Sequence, residues 1–374
     1  MTTIFDPLVT KKFSLASRIV RSATAERIAM QSENDGERLG EIYAALAKGG
    51  VGLIISGHIA VHPSGRLYPS MAAIYREENL SAWREAILLT HKSGGMVFLQ
   101  LNHGGGRCRE NDEVKPRCVS FLPERANDAM LGAELTGAQI QELIKAFADA
   151  AQNARAAGAD GVEIHAAHGY LVSQFLSPLT NHRKDEWGGS LENRTRFLRM
   201  VMRAAREAVG EKFPVGIKLG VCDDDPAGLK IEETLQLARE LEKDGLDFIE
   251  ISGGFRADIV CRKVGPGKNE GYYLPFAAQF KKALKIPVFA VGGLRSLEKM
   301  NEALALGQCD AASMSRPLIR QPDLPVILQA GGKSACRGCN LCLFKHNQPT
   351  ACHARRHAGH AKGLVNHAGS KNSE

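Results

Sequence analysis

GVEIHAAHGYLVSQFLSPLTNHRKDEWGGSLENRTRF, Gly161 to Phe197, decides how the rest of the chain is read. It opens on a short apolar run, Gly161 to Ile164, with the length and composition of a buried strand. His165 and His168 follow at once, then Gly169 and Tyr170. A polar, glycine-containing loop leads to Ser190, which reads as the N-cap of an amphipathic helix with Glu192 and Asn193 in its first turn. Three proton-handling side chains thus fall at the C-terminal edge of a strand, where α/β folds hold their ligands. A long loop of this kind is more often functional than filler.

Working outward, short β-like runs alternate with longer helical ones. The strand candidates are Ile19–Ala23, Gly52–Ser56, Met96–Leu101, Gly161–His165, Val215–Leu219, Phe248–Ser252, Val288–Val291 and Ala311–Met314. Helical patterns cover Glu37–Lys48, Ser81–Lys92, Thr136–Ala157, Leu191–Val209, Ile231–Lys243, Pro275–Leu284, Leu297–Leu306 and Asp323–Gln329. Apolar runs without alternation are what a parallel sheet covered on both faces shows. Eight strand–helix units over roughly 330 residues predict an α/β fold of the (β/α)8 TIM-barrel type, with a doubly wound open sheet as the competing arrangement.

Neither a G-x-G-x-x-G turn nor a Walker loop follows any of these strands, so a Rossmann-type dinucleotide site is not expected. The last two units instead carry VGGLRS (Val291–Ser296) and MSRPLIRQPD (Met314–Asp323). Gly292 and Gly293 let backbone approach a ligand, Ser296 is a candidate helix cap, and Arg316 adds a guanidinium. Barrel enzymes commonly bind phosphate at these two loops. On the third strand Gln100 points inward in an apolar run, and a buried amide needs partners. On the fifth, Lys218 sits among apolar neighbours, either to hold negative charge on a bound ring or to pair with an inward carboxylate.

The chain has 374 residues, of which 44% are hydrophobic and 24% charged, as expected for a globular protein with a large core. Apolar stretches such as Val51–Ile55 are far shorter than the ~20 residues a bilayer requires. The first residues, MTTIFDPLVTKKF, lack the apolar segment of a signal peptide, and a cytosolic protein is the expectation. The net charge is +7, but no Lys/Arg block interleaves with aromatics, which argues against nucleic acid as a partner.

Nine cysteines in such a chain are not a disulfide framework. Four of them, Cys336, Cys339, Cys342 and Cys352, are spaced C-x2-C-x2-C-x9-C after the last barrel unit. Four thiolates so close fit a [4Fe–4S] cluster or a structural zinc. The region beyond, 353–374, is rich in His, Ala and Gly without apolar period and reads as a disordered tail. The expected organisation is a barrel over 1–330, a Cys-rich metal-binding extension over 331–352, and the tail.

With these residues laid out, the chain resembles the Old Yellow Enzyme family of FMN-dependent NAD(P)H:flavin oxidoreductases over about residues 4 to 330. HAAHGYLVSQFLSPLTNHRKDEWGGSLENRTRF is similar to that family's signature almost throughout, and SRIVRSATAE, the QLNH–GGR segment and the two phosphate loops agree. The resemblance implies FMN at the C-terminal mouth of the barrel. Ala23, Thr24 and Ala25 would line it from the first strand, and Ser56, Gly57 and His58 from the second. Gln100 and Lys218 would meet the pyrimidine edge, and Gly292, Gly293, Ser315 and Arg316 the phosphate. His165 and His168 would bind a substrate carbonyl and Tyr170 would donate a proton. NAD(P)H would be co-substrate and an activated alkene the small-molecule substrate.

Oxidative demethylation or dehydrogenation on the same fold, an electron-transfer subunit, and a non-redox phosphate-binding barrel with a Schiff-base Lys218 are the competing functions. Ala25, Lys218, Ser315 and an extra glycine in His103–Arg107 depart from the family's usual residues. The cysteines resemble those of the dienoyl-CoA reductase and trimethylamine dehydrogenase branch, whose members continue into further nucleotide domains. No such domain is read before Glu374, so either a redox cluster here would need a separate partner protein, or NAD(P)H would reduce FMN directly and the metal would be structural. Oligomeric state is left open.

Overall fold

The computed structural model describes residues 2–109, 116–122, 130, 132–255, 269–343 and 348–354. Its centre is a closed barrel of eight parallel strands. In chain order they are β1 (Ile19–Arg21), β2 (Leu53–Ala60), β3 (Val97–Asn102), β4 (Gly161–Ala166), β5 (Val215–Gly220), β6 (Phe248–Ser252), β7 (Val288–Ala290) and β8 (Ala311–Met314). β8 pairs with β1 to close the ring. This is the (β/α)8 architecture expected from the strand–helix repeat, and the open sheet is ruled out.

Side chains alternate along each strand. Val162 and Ile164 of β4, Ile217 and Leu219 of β5, and Ile249 and Ile251 of β6 belong to one large apolar cluster with residues of the surrounding helices. The inward face is layered. At the N-terminal end, a short hairpin (Leu8–Val9 with Ser14–Leu15) brings Phe13 under the barrel. Phe13 meets Phe98 edge-on at 5.4 Å, and Phe248 stacks on Phe289 at 5.2 Å. This aromatic floor gives way upward to Gln100, Glu163, Lys218 and Glu250, all buried. The C-terminal mouth above that layer carries the loops of interest.

Two strand boundaries differ from expectation by two residues or more. β1 ends at Arg21 rather than Ala23, because the chain leaves the sheet once Ser22 N has bonded Met314 O. β2 runs on to Ala60 rather than stopping at Ser56, with a register shift between Ile55 and His58. Among the helices, Glu33–Lys48 starts early because Ser32 accepts from Asp35 N. Ser190 caps Leu191–Val209 by accepting from Asn193 N, as expected. Ser296 stands at the N-cap position of Leu297–Ala305, but its side chain makes no cap bond and donates to Glu270 Oε2 instead. A short helix, Arg316–Arg320, follows β8 where only a loop was expected.

Candidate active site

The histidine–tyrosine stretch folds as a strand end and a turn. His165 lies near the end of β4. His168 takes a left-handed backbone, φ +60°, and Gly169 follows at φ +72°. Tyr170 then enters a short helix, Leu171–Leu176. The turn swings three side chains together: His165 lies edge-on to both His168 and Tyr170, with ring centroids 5.0 Å apart in each case. The His168 ring is oriented by Ser252 Oγ, 2.7 Å from Nε2. His58 completes the group from β2, 5.3 Å from the Tyr170 ring, with Nε2 2.9 Å from the Tyr68 hydroxyl.

These groups are neutral near pH 7. Burial pushes His165 well below the usual histidine range, and neighbouring imidazoles and Lys218 add to it. Burial and then Lys218 do the same to His168. Burial brings His58 down to about 4, with Arg27 assisting. Burial raises Tyr170 against the opposing charge of Arg107, so its hydroxyl keeps its proton. The site offers neutral N–H donors and an O–H donor side by side.

Around them lie the residues expected to hold a cofactor. Ala23 and Ala25 are half-buried on the loop after β1, flanking buried Thr24. Thr24 Oγ1 and Ser315 Oγ are 2.7 Å apart, so the first and last strands are tied at the mouth. Gly57 sits in the β2 irregularity. Its N–H donates to Glu26 Oε2 at 2.9 Å, and a Cβ there would come within 2.2 Å of that oxygen. Glu26 also accepts from Tyr43 and pairs with Arg21 at 3.2 Å. Gly292 and Gly293 have φ of +130° and +74°, a backbone that favours glycine.

Inside the mouth is a polar layer that the sequence only partly revealed. Gln100 Nε2 donates to Glu163 Oε2 at 2.6 Å. Lys218 Nζ donates to Glu250 Oε2 at 2.5 Å and to Ser22 Oγ at 2.8 Å. Glu163 Oε1, Glu250 Oε1, Asn102 Oδ1 and Ser313 Oγ are buried without a hydrogen-bond partner. Each such group costs about 1–3 kcal/mol, and a site built to hydrogen-bond a polar ligand explains why they persist. The layer, the glycine loops and the small residues after β1 fit a flat heterocycle carrying a phosphate.

Glu163 and Glu250 were not named from sequence. Their signal was present: a lone carboxylate on the same face as Gly161 and His165 in β4, and as Phe248 and Ser252 in β6. Two arginines of the long loop and the helix after it make structural contacts. Arg183 donates to Val119 O and Leu135 O, and Arg194 pairs with Glu233 at 2.5 Å.

The Arg316 guanidinium, expected at a phosphate, donates to Asn340 Oδ1 in the Cys-rich segment. That segment is strapped onto the loops of the mouth. Thr350 Oγ1 donates to Ala25 O at 2.6 Å, Arg295 Nη1 to Cys336 O at 3.0 Å, and Arg27 Nη2 to Leu343 O at 2.8 Å. Cys336, Cys339, Cys342 and Cys352 line one cavity together with Arg316. Among the described residues, no three ligand-type side chains converge closely enough to form a metal site. Cys261, His357, His360, most of the tail and most of Arg256–Tyr273 lie outside the described residues.

A closed parallel barrel with neutral histidines, a protonated tyrosine and two positive-φ glycines at its C-terminal mouth fits a flavin-dependent oxidoreductase. The chain belongs to the NADH:flavin oxidoreductase / NADH oxidase family, whose profile matches residues 3–334. It is 32% identical over 334 residues to an NADH oxidase of Thermoanaerobacter brockii, covering 88% of this chain and 51% of that protein. The chain thus spans about half the length of that relative. It is 33% identical over 327 residues to an NADPH dehydrogenase of Geobacillus thermodenitrificans (strain NG80-2), covering 87% of this chain and 93% of the relative. Morphinone reductase in complex with tetrahydroNAD superimposes with a TM-score of 0.76 at 28% identity, over 89% of this chain and 92% of that one. Among the described residues no helix is long and apolar enough to cross a membrane.

Proposed function

We propose that this protein is an FMN-dependent NAD(P)H oxidoreductase that reduces the C=C bond of an α,β-unsaturated carbonyl compound. The observation that carries the reading is the convergence of His165, His168 and Tyr170, rings 5.0 Å apart, at the mouth of a barrel of this family. When bound, FMN would supply the hydride-transfer chemistry between NAD(P)H and the β-carbon of the substrate. The protein's residues do the rest. His165 and His168 donate N–H to the substrate carbonyl and stabilise the negative charge that develops there. Tyr170 gives its proton to the α-carbon as general acid. Ala23, Thr24, Ala25 and Gly57 line the cofactor, Gln100 and Lys218 meet its polar edge, and Gly292, Gly293, Ser315 and Arg316 hold its phosphate. A proton donor at Tyr170 favours reduction over oxidative demethylation, which needs none at the α-carbon.

The experiment is a visible spectrum of the purified protein, followed on addition of NADH, then NADPH, then a panel of enones. Flavin bands that bleach with NAD(P)H and return with an enone support the reading. A colourless protein that binds no added FMN refutes it.

A second function is favoured by the four cysteines around one cavity. Four thiols suit a [4Fe–4S] cluster, with zinc as the alternative donor-set match. Cys336, Cys339, Cys342 and Cys352 would have to draw together from their places around the cavity to hold the cluster, and a separate redox protein in the cytosol would be its electron partner. Iron and acid-labile sulfide measured on anaerobically purified protein test this, and zinc alone refutes the cluster. The barrel is assigned to residues 1–330 and the metal-binding extension to 331–352.

A further inference from the structure

The layer beneath the mouth holds two carboxylates and one ammonium, all buried: Glu163 and Glu250 are 0% exposed and Lys218 is 3% exposed. Lys218 is committed to Glu250 and Ser22. Glu163 has one bond, from Gln100, and its second oxygen has none. If both carboxyls were charged, the layer would carry a net negative charge out of contact with water, and burial penalises that strongly. The proton that neutralises the layer belongs on the carboxyl without a cation, which is Glu163.

Resting on the functional reading above, we propose that Glu163 is a positioning residue for the flavin: it fixes the Gln100 amide, and its carboxyl takes up a proton when the adjoining ring gains negative charge. The groups facing Glu163 are Gln100 from β3, Lys218 from β5 and Glu250 from β6, with His165 two residues along on β4. Burial, and then the Glu250 charge, raise its carboxyl to about 8, opposed by Lys218 and the Gln100 bond. Glu163 is therefore protonated at neutral pH and ionised in alkaline solution when the flavin is oxidised. Hydride from NAD(P)H brings two electrons and one proton, leaving NAD(P)+. The added negative charge raises Glu163 further, so in alkaline solution the carboxylate takes a second proton from solvent and becomes the acid.

The test counts protons bound per two electrons, by potentiometric titration of the holoenzyme from about pH 6 to about pH 9. In the wild type the count rises from about one to about two as pH passes about 8. In Glu163→Gln, which keeps the amide contact and cannot ionise, it stays near one throughout. A wild-type count that does not rise, or a variant count that rises equally, overturns the proposal. Should the Gln variant not fold, infrared spectroscopy of the wild type serves. The C=O stretch of a buried carboxylic acid that shifts in Glu163→Asp, and so is not that of buried Glu26, should be present at neutral pH and lost in alkaline solution, and its absence at neutral pH overturns the proposal. The infrared measurement works on protein without flavin. A chain that binds no FMN would thus defeat the functional reading while leaving the protonation of Glu163 separately decided.

Discussion

Replacing Glu163 by Gln should make the barrel more stable, and increasingly so as pH rises. An ordinary glutamate titrates near 4.5, whereas burial and Glu250 raise Glu163 to about 8. The folded state therefore holds a proton that the unfolded chain releases between those values. The sign follows from linkage: a raised carboxyl leaves folding uncompromised below the unfolded value and costs stability as pH climbs toward the folded one. At ~1.4 kcal/mol per pH unit, the accumulated cost is on the order of 4 kcal/mol by about pH 8. Gln has the shape of the protonated acid and does not titrate. It removes this cost while still accepting from Gln100 through its carbonyl oxygen.

The assay is urea unfolding, or pulse proteolysis if unfolding is irreversible, on both proteins at about pH 5, 6.5 and 8. The two should differ by less than ~1 kcal/mol at the lowest pH, and the variant should lead by several kcal/mol at the highest. A stability difference independent of pH would refute the reasoning. So would a variant weaker than wild type at about pH 8. Either would mean that Glu163 is ionised in the folded barrel and that its charge is stabilised by Lys218.

Other consequences concern the mouth. Tyr170→Phe removes one hydroxyl, so flavin reduction by NAD(P)H should proceed at the wild-type rate in stopped flow while alkene reduction slows by ~10²–10⁴-fold. Equal slowing of both half-reactions would remove Tyr170 as donor. Gly57→Ala drives a methyl group to 2.2 Å from Glu26 Oε2 and 2.6 Å from Thr24 O. It should cost about 1–3 kcal/mol in unfolding and lower the flavin content of purified protein. Asn340→Ala frees the Arg316 guanidinium, and FMN affinity measured by fluorescence should fall about tenfold, equivalent to ~1.4 kcal/mol. Unchanged affinity would separate the Cys-rich segment from cofactor binding.

The barrel was legible because its strands are short apolar runs at regular spacing, a local pattern that needs no knowledge of partners. The misjudged strand ends are decided by tertiary contacts. β2 extends to Ala60 through an irregularity at Ser56 and Gly57, held by the carboxylate of Glu26 from another strand's loop. Nothing in LIISGHIA announces that carboxylate. His165, His168 and Tyr170 were legible because one tight turn brings them together. Arg316 was assigned to phosphate from its place after β8, and its bond to Asn340 arises from a segment that folds back from beyond the barrel. Glu163 is inconspicuous in the sequence because GVEIH reads as an apolar run. Its place on the inward face appears only when alternation is taken seriously within a strand buried on both sides.

Lys218 shows how the two sequence-level options for one residue combine. It was expected either to hold negative charge on a bound ring or to pair with an inward carboxylate. The carboxylate is Glu250, 2.5 Å away, and Ser22 Oγ takes a second donor at 2.8 Å. An ammonium has three N–H donors, so one is left for a ligand after both bonds are made. The pair therefore fixes the ammonium in place without consuming it. The barrel thus keeps a cation at the inner edge of its mouth, balanced by Glu250, and leaves Glu163 as the one carboxyl in that layer whose charge is free to change.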